Sequence, residues 1–284
     1  MSLIVNHLSH IYEEGTAMSV AAVKDVNLKI DDGEFIGLIG HTGSGKSTFI
    51  QHLNGLIKPT SGEVYFEGAD ISDKEFDKKN LRSKVGLIFQ YPEHQLFETT
   101  VFEDVCFGPK NMGLSRKETE LRAYEALKTV GIEDECFYRS PFDLSGGQKR
   151  RVAIAGVLAM KPSVLILDEP TAGLDPSGRV QLLNMIKDLH EKEGMTVILV
   201  SHSMEDVAEY AGRIIVMNKG EVAFDGKPKE VFSHREELIG MGLNVPVVSN
   251  VAGKLKEAGY DIEDLPITVK EGADMIERLY LKRK

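Results

Sequence analysis

The feature that most constrains this chain is a glycine-rich stretch between an apolar run and a segment of helix-forming character. It matches the pattern G-x-x-x-x-G-K-[ST] in full, through Gly40, His41, Thr42, Gly43, Ser44, Gly45, Lys46 and Ser47. Glycines let successive backbone N–H groups turn toward phosphate oxygens, and the positive end of the following helix attracts the same anion. Lys46 offers a mobile cation to the terminal phosphates, and the Ser47 hydroxyl suits Mg²⁺. The stretch therefore predicts a phosphate-binding P-loop.

The sequence around this loop decides against the alternative, a glycine-rich turn that matches by chance. The apolar run Phe35–Ile39 precedes the loop, and a helix-compatible stretch follows it at 46–53. A strand before and a helix after form the context that the motif requires. His41 occupies a variable position of the pattern, so we interpret it as a loop residue and not as a catalytic base.

Two further candidate site segments follow short, mainly apolar runs, at 164–167 and 196–200. Such runs are typical of strands buried on both faces of a parallel sheet. The first ends at Asp168, which this kind of sheet places in the ligand crevice, where it can hold Mg²⁺ directly or through water. Glu169 comes next and can orient an attacking water and accept its proton. His202 follows the second run, and adjacent parallel strands would bring it beside Glu169. Alone, each would more often be a solvated strand end; the P-loop favours the functional interpretation.

The rest of the chain indicates an α/β protein. The first thirty-odd residues alternate as antiparallel strands do, and the stretch of about 91–160 favours helices. Residues 213–217 and 221–224 flank an Asn-Lys-Gly turn and predict a hairpin. A change in composition follows, and we place a domain boundary near residue 230.

The pentapeptide 144–148 predicts a second helix N-terminus lined by small residues. Ser145, Gly146 and Gly147 lead into a helix-compatible segment that a Lys-Pro pair at 161–162 ends. Because helix N-termini attract anions, one chain would carry two anion-binding helix ends. An ordinary P-loop enzyme has no need of the second one.

With these motifs in order, residues 1–230 resemble the ABC transporter ATPase family. The resemblance implies a P-loop NTPase core of the ABC ATPase type, with an antiparallel β subdomain, a helical subdomain at about 91–160 and a small α-rich C-terminal appendage at 231–284. It implies ATP and Mg²⁺ as ligands and catalytic roles for Lys46, Glu169 and His202. The metal would be held by Ser47, Gln90 and Asp168. Beyond the P-loop, the implied nucleotide contacts are Thr48, Gln90, Ser145, Gly146, Gly147, Gln148 and Asp175.

Tyr12 matches the aromatic residue that stacks on adenine ahead of the P-loop in this family. Tyr65 and Phe35 are alternatives for that position, and an ordinary core or surface tyrosine is another interpretation of Tyr12. The family resemblance also implies a head-to-tail pair of cassettes, in which residues 144–148 of one chain touch the γ-phosphate held by the P-loop of the other.

Within the family, the chain is most similar to the ATPase subunits of energy-coupling factor transporters, and among these to the second of their two ATPase types. Residues 35–45, 90–97 and 259–262 carry this resemblance. It implies uptake of vitamins or transition-metal ions in a prokaryote, at the cytoplasmic face of the cell membrane. The implied partners are a second ABC ATPase, identical or not, an integral membrane coupling protein and a substrate-capture protein. Leu96 and Phe97 are candidates for the membrane-partner contact, unless they pack internally. Another importer class or a non-transport ABC ATPase is the alternative.

Composition limits the other possibilities. The formal charge of −10 at pH 7 argues against broad binding to nucleic acid, which needs a basic face. No stretch approaches the roughly 18 uninterrupted apolar residues of a membrane-spanning helix. The start of the chain lacks the pattern of a secretory signal, so a membrane role is expected through a partner protein. Cys106 and Cys136 have no metal-like spacing, and we expect both to be small buried residues.

Overall fold

The computed structural model describes residues 3–262 and 264–282 of the chain. Its strands are β1 (Leu3–Tyr12), β2 (Val20–Ile30), β3 (Phe35–Ile39), β4 (Ser61–Phe66), β5 (Ala69–Asp70), β6 (Val85–Ile88), β7 (Val164–Asp168), β8 (Thr196–Val200), β9 (Arg213–Asn218) and β10 (Glu221–Gly226). Its α-helices are α1 (Lys46–Leu53), α2 (Lys78–Lys84), α3 (Val101–Met112), α4 (Arg116–Thr129), α5 (Gly146–Leu158), α6 (Pro176–Glu193), α7 (Met204–Tyr210), α8 (Pro228–Ser233), α9 (Arg235–Gly240), α10 (Val247–Glu257) and α11 (Val269–Lys282). Within those described ranges, none of the helices has the length and apolar character needed to cross a bilayer.

A six-stranded sheet in the order β10-β9-β3-β8-β7-β6 forms the centre of the fold. β3 runs parallel to β8 and β9, and β6, β7 and β8 run parallel to one another. Every residue of β7 and β8 is buried, which explains their continuous apolar runs. Asp168 pairs with Val200 in the register, so the residues that follow both strands emerge at one edge of the sheet. The antiparallel hairpin of β9 and β10 is confirmed.

The second sheet, in the order β2-β1-β4-β5, is antiparallel. It confirms the antiparallel strands predicted for the start of the chain. β3 does not continue this pattern, because after the turn at 31–33 it enters the central sheet between β8 and β9. All five residues of β3 are buried. A strand that is apolar on both faces needs cover on both sides, and the central sheet provides it.

One strand of the central sheet, β6, was not predicted from the sequence. Its four residues are interrupted by Gly86, which weakens a strand pattern. In the structure that glycine lets α5 pack closely on the sheet, since a Cβ at Gly86 would lie 2.5 Å from Cγ1 of Val157.

The stretch of about 91–160 is helical, as predicted, and contains α3, α4 and α5. Short 3-10 turns precede and connect these helices at Pro92–Gln95, Asp134–Cys136 and Pro141–Asp143. Cys106 and Cys136 are both buried free thiols in the core of this region, as expected of small apolar residues.

The chain after residue 230 contributes to two cores. Val231, Phe232 and Leu238 are buried in the core that covers one face of the central sheet. Ala252, Ile262 and Met275 form a small core of their own. The C-terminal appendage is therefore anchored to the cassette by its first helices, and its boundary at 230 stays a prediction. Residues 263, 283 and 284 of the appendage, like residues 1 and 2, lie outside the described part of the chain.

Candidate nucleotide site

The P-loop leaves the central strand β3 and enters α1, with its backbone held against neighbouring segments. Gly45 has φ +101° and ends the loop. A Cβ at this position would lie 2.2 Å from the carbonyl oxygen of Ala22, so only glycine fits. The Gly220 N–H donates to the Ser44 carbonyl oxygen at 3.0 Å. The loop that the sequence predicted therefore exists as a preformed turn at a helix N-terminus, which is a favourable place for a phosphate.

Lys46 is 6% exposed and bends back over its own loop. Its Nζ donates to the carbonyl oxygen of Gly40 at 2.7 Å and to that of His41 at 3.2 Å. Burial lowers the pKa of Lys46 from its ordinary value, while the carboxylates of Asp168 and Glu169 act in the opposite direction. The ammonium group thus donates to two neutral carbonyl oxygens. A charged phosphate oxygen would be a stronger hydrogen-bond acceptor than either of them.

Ser47 and Asp168 face each other across the edge of the sheet. The Ser47 hydroxyl donates to Oδ2 of Asp168 at 3.1 Å. Burial raises the pKa of the Asp168 carboxyl, and the hydrogen bond from Ser47 and the charge of Lys46 partly offset this. Two oxygens at right angles around Mg²⁺ lie about 3 Å apart, given ligand distances of roughly 2.1 Å. The pair therefore fits the oxygen chemistry and the spacing that this ion requires.

Glu169 lies at the centre of the remaining predicted residues. Its Oε1 lies 2.7 Å from Nε2 of His202, and its Oε2 accepts a hydrogen bond from Nε2 of Gln90 at 3.2 Å. The backbone of Glu169 has φ +50°, in the left-handed region, and its N–H donates to the Val200 carbonyl oxygen at 3.0 Å. Such a conformation is unfavourable for a non-glycine residue and persists only where its surroundings impose it. The orientation of the Glu169 carboxylate is thus set by its backbone conformation and by its contacts with Gln90 and His202.

The candidates for the adenine-stacking residue differ clearly in position. The Tyr12 hydroxyl lies 3.2 Å from Oγ1 of Thr48, the residue that directly follows the P-loop in α1, and Tyr12 is 42% exposed. His10 contacts that ring edge-on at a centroid distance of 4.5 Å. Phe35 is buried in the core, and the Tyr65 hydroxyl bonds its neighbour Glu63. Tyr12 is therefore the candidate that lies beside the phosphate loop with an exposed face.

The other P-loop side chains lie around the turn. Nδ1 of His41 lies 2.8 Å from the Thr42 carbonyl oxygen, and its Nε2 lies 3.2 Å from Oδ1 of Asn218. Ser44 is fully buried, whereas Thr42 and Gly43 are exposed. The histidine thus connects the loop to the end of β9. Asn218 is a supporting residue that sequence reasoning missed, because its strand gives no chemical signal.

Residues 145–148 form a separate cluster at the start of α5. Ser145 caps the helix by accepting from the Gln148 N–H at 3.3 Å, and Oε1 of Gln148 accepts from the Ser145 N–H at 3.0 Å. Gly146 and Gly147 are exposed. Asp175 caps α6 in a similar way, by accepting from the Gly178 N–H at 2.6 Å. Among the residues that the structure describes, no hydrogen bond or ion pair joins either cap to the P-loop of the same chain.

Comparison with known proteins assigns the chain to a family. A family model for ABC transporters matches residues 23–172. The chain belongs to the ABC transporter family. This ABC transporter protein is 55% identical over 282 residues to the energy-coupling factor transporter ATP-binding protein EcfA2 of Caldanaerobacter subterraneus subsp. tengcongensis, across 99% of this chain and 98% of that relative. It is 54% identical over 278 residues to the protein of the same name from Clostridioides difficile, across 97% and 96% of the two chains.

Solved structures of ABC proteins share the fold. One is cbiO1 from Clostridium perfringens, described as part of the ABC transporter complex cbiONQ, with a TM-score of 0.74 and 39% identity over 90% of this chain and 98% of that one. Another is the ATP-binding cassette MJ0796 in a dimeric post-hydrolysis state with ADP and Pi, with a TM-score of 0.70 and 33% identity over 80% of this chain and 98% of that one. The fold class, the family and the nucleotide-binding ATPase character predicted from the sequence are confirmed.

Proposed function

We propose that this ABC transporter protein is the ATP-hydrolysing subunit of an energy-coupling factor type importer, which powers uptake of vitamins or transition-metal ions through a membrane partner. The observation that carries the proposal is the Glu169 carboxylate, held by Gln90 and His202 beside the Ser47–Asp168 pair. Similarity along nearly the whole chain to energy-coupling factor ATP-binding proteins supports the transporter class. The alternative is an ABC ATPase of another importer class or one that does not transport.

In the proposed reaction, Lys46 exchanges its two carbonyl acceptors for oxygens of the β- and γ-phosphates, and the P-loop N–H groups bind the same phosphates. Mg²⁺, held by Ser47, Asp168 and the side-chain oxygen of Gln90, would neutralise phosphate charge. Glu169 orients the attacking water and accepts its proton. His202 fixes the Glu169 carboxylate and can donate to the γ-phosphate.

A complete site requires a second ABC ATPase. Within one chain, the cap of α5 at Ser145 is separate from the P-loop, and its exposed glycines leave the helix N-terminus accessible. We infer that residues 145–148 and Asp175 contact the nucleotide of the other cassette. The dimeric state of the structural relative with ADP and Pi supports this arrangement.

The contact with an integral membrane coupling protein is proposed for an apolar groove of 580 Å³ beside α3. Phe97 is 58% exposed and contacts Phe107 edge-on on the wall of this groove. Leu96, the other predicted contact, is only 9% exposed and packs into the core. Phe97 therefore remains a candidate for direct contact, whereas Leu96 supports the wall. This geometry would place the subunit at the cytoplasmic face of the membrane, with a substrate-capture protein completing the complex.

For the C-terminal appendage we propose a role in stabilising the dimer. Val247 on α10 is 64% exposed, and Ile276 and Leu281 on α11 are 55% and 62% exposed. The apolar residues of α11 thus divide into two sets, since Met275 packs inward while Ile276 and Leu281 are exposed. Deleting the appendage would remove core residues, so the sharper test is Ile276→Ser with Leu281→Ser. These changes should weaken dimer formation in light scattering and leave the melting temperature of the nucleotide-free chain unchanged.

The transporter proposal is tested by co-expressing the chain with a candidate integral membrane coupling protein and with a second ABC ATPase. We expect one detergent-stable complex on size exclusion and Mg²⁺-dependent ATP hydrolysis that the membrane protein stimulates. A chain that hydrolyses ATP but joins no membrane protein would instead support the non-transport alternative.

A further inference from the structure

Arg150 is a buried arginine that bridges three separate segments. It lies on α5, and its side chain is 5% exposed. Its Nη2 donates to Oε1 of Glu93 at 2.7 Å and its Nε donates to Oε2 at 3.0 Å, so the two residues form a bidentate ion pair. Its Nη1 donates to the carbonyl oxygens of Pro170 at 3.0 Å and Ala172 at 2.6 Å.

Each of these segments contains or adjoins residues of the candidate site. Glu93 lies in the 3-10 turn Pro92–Gln95, between Gln90 and the groove wall at Phe97. Pro170 follows Glu169 directly, and Ala172 precedes the cap of α6. Arg150 itself lies in the second turn of the helix that begins at 145–148. A single guanidinium group therefore joins the groove, the segment after the catalytic carboxylate and the helix proposed to reach the other nucleotide.

The ion pair of Arg150 and Glu93 forms a rigid link between the two segments that carry them. Burial works against the Glu93 carboxylate, but the hydrogen bonds and charge of Arg150 outweigh it and hold the pKa of Glu93 below its ordinary value. A guanidinium group can satisfy two carboxylate oxygens and two carbonyls at once because its donors form a planar fork, which an ammonium group lacks. Separating the pair would leave the buried Arg150 cation and the half-buried Glu93 carboxylate unpaired, so the two segments move together.

We propose that Arg150 is a positioning residue that couples the apolar groove to the hydrolysis site, by passing movement of the 92–97 segment through Glu93 to both α5 and the 170–172 segment. This inference rests on the proposed function, since it requires a partner in the groove. Arg150 touches no nucleotide-binding residue of its own P-loop in the described structure, so it acts on ATP hydrolysis through these segments.

The test uses Glu93→Gln and Arg150→Lys in the complex with the membrane protein and in the ATPase chains alone. Arg122→Gln is the matched control, because its partner Glu118 lies on the same helix, α4, at 2.6 Å. For each variant the melting temperature, the KM for ATP, kcat and the stimulation of kcat by the membrane protein are measured. We expect the stimulation to fall about tenfold in both coupling variants, with KM changed less than about twofold, as for a misplaced but intact site.

The double variant distinguishes coupling from a general loss of stability. If Glu93 and Arg150 act as one connection, the double variant loses no more stimulation than the worse single variant. Unchanged stimulation in the coupling variants, when the wild type is stimulated, would overturn the inference. An equal loss in Arg122→Gln would overturn it as well. A wild-type complex without stimulation would overturn the proposed function itself, which is a different result.

Discussion

Nε2 of His202 lies 2.7 Å from Oε1 of Glu169, although the two residues belong to different strand ends. The contact follows from the register of β7 and β8, in which Asp168 pairs with Val200. Because every residue of both strands is buried, a shift in register would move apolar side chains out of their packed positions on both faces of the sheet. The core of the protein thus fixes the distance between the proposed base and the imidazole.

Replacing Glu169 with glutamine should nearly abolish hydrolysis and leave ATP binding intact. The amide keeps the size of the side chain but cannot accept the proton of water, and general bases contribute about 100-fold or more to rate. We expect an ATP-dependent dimer to accumulate, visible by light scattering with ATP and Mg²⁺. The exposed Glu135→Gln serves as the control. Wild-type hydrolysis in Glu169→Gln would show that another group accepts the proton.

Replacing His202 with alanine should lower kcat by about tenfold or more, since a carboxylate that has lost a charge-assisted hydrogen bond is less well oriented. The KM for ATP should change much less, because Lys46 and the P-loop still bind the phosphates. Steady-state kinetics separate the two effects. His202→Gln keeps a donor near Glu169 and should recover part of kcat; an alanine variant with raised KM and normal kcat would contradict the assignment.

Replacing Lys46 with methionine should weaken ATP binding by about 100-fold, because charge-assisted hydrogen bonds are worth roughly 1.5–3 kcal/mol. The same change removes a buried ammonium group whose pKa burial lowers. The nucleotide-free variant should therefore melt no lower than the wild type. Titration calorimetry and thermal melting measure the two effects, with the exposed Lys74→Met as the control. Full ATP affinity in Lys46→Met would refute the phosphate role.

Replacing Tyr12 with alanine should weaken ATP binding by about tenfold, as expected for a lost stacking interaction with a base. Inorganic triphosphate should bind equally well to the variant and the wild type, since it has no adenine. Tyr12→Phe keeps the ring, loses the hydroxyl contact with Thr48 and should bind ATP nearly normally. If Tyr65→Ala weakens ATP binding and Tyr12→Ala does not, the stacking residue is Tyr65.

The stability of the chain should fall in mild acid because of His52 on α1. This residue is fully buried, and burial, with the neighbouring His10, lowers its pKa from 6.5 to about 4, while the Ile57 backbone partly offsets this. Between these two values the unfolded chain binds a proton that the folded chain does not. The free energy of unfolding should therefore drop as pH falls through this window, by about 3 kcal/mol at most.

His52→Phe isolates this effect, since the ring stays and the titration disappears. Denaturant unfolding across the pH window should give a flatter dependence for the variant than for the wild type. Parallel curves would show that other groups cause the acid sensitivity.

Much of the candidate site could be predicted because its parts are short and contiguous. The P-loop, the cap at Ser145 and the Asp168–Glu169 pair each occupy a few neighbouring residues with a defined backbone requirement. Their meeting at one sheet edge follows from parallel strands. The assignment of Leu96 as a contact could not be separated from that of Phe97, since adjacent residues on an irregular turn have no period that indicates which is buried.

Contacts between distant residues could not be predicted from local patterns. Arg150 and Glu93 are 57 residues apart, and each looks like an ordinary charged surface residue in the sequence. The strand β6 was hidden by its glycine, whose reason lies in the packing of α5. The entry of β3 into the central sheet depends on which neighbours can cover both of its faces, which is a property of the assembled fold.

The hydrogen bonds from Lys46 to the carbonyl oxygens of its own loop have a consequence for turnover. When products leave, the ammonium group can return to the carbonyl oxygens of Gly40 and His41 rather than remain as a bare cation in a buried place. During product release, Lys46 then exchanges a phosphate acceptor for a carbonyl acceptor. This exchange has a smaller barrier than breaking a charge-assisted hydrogen bond without a replacement.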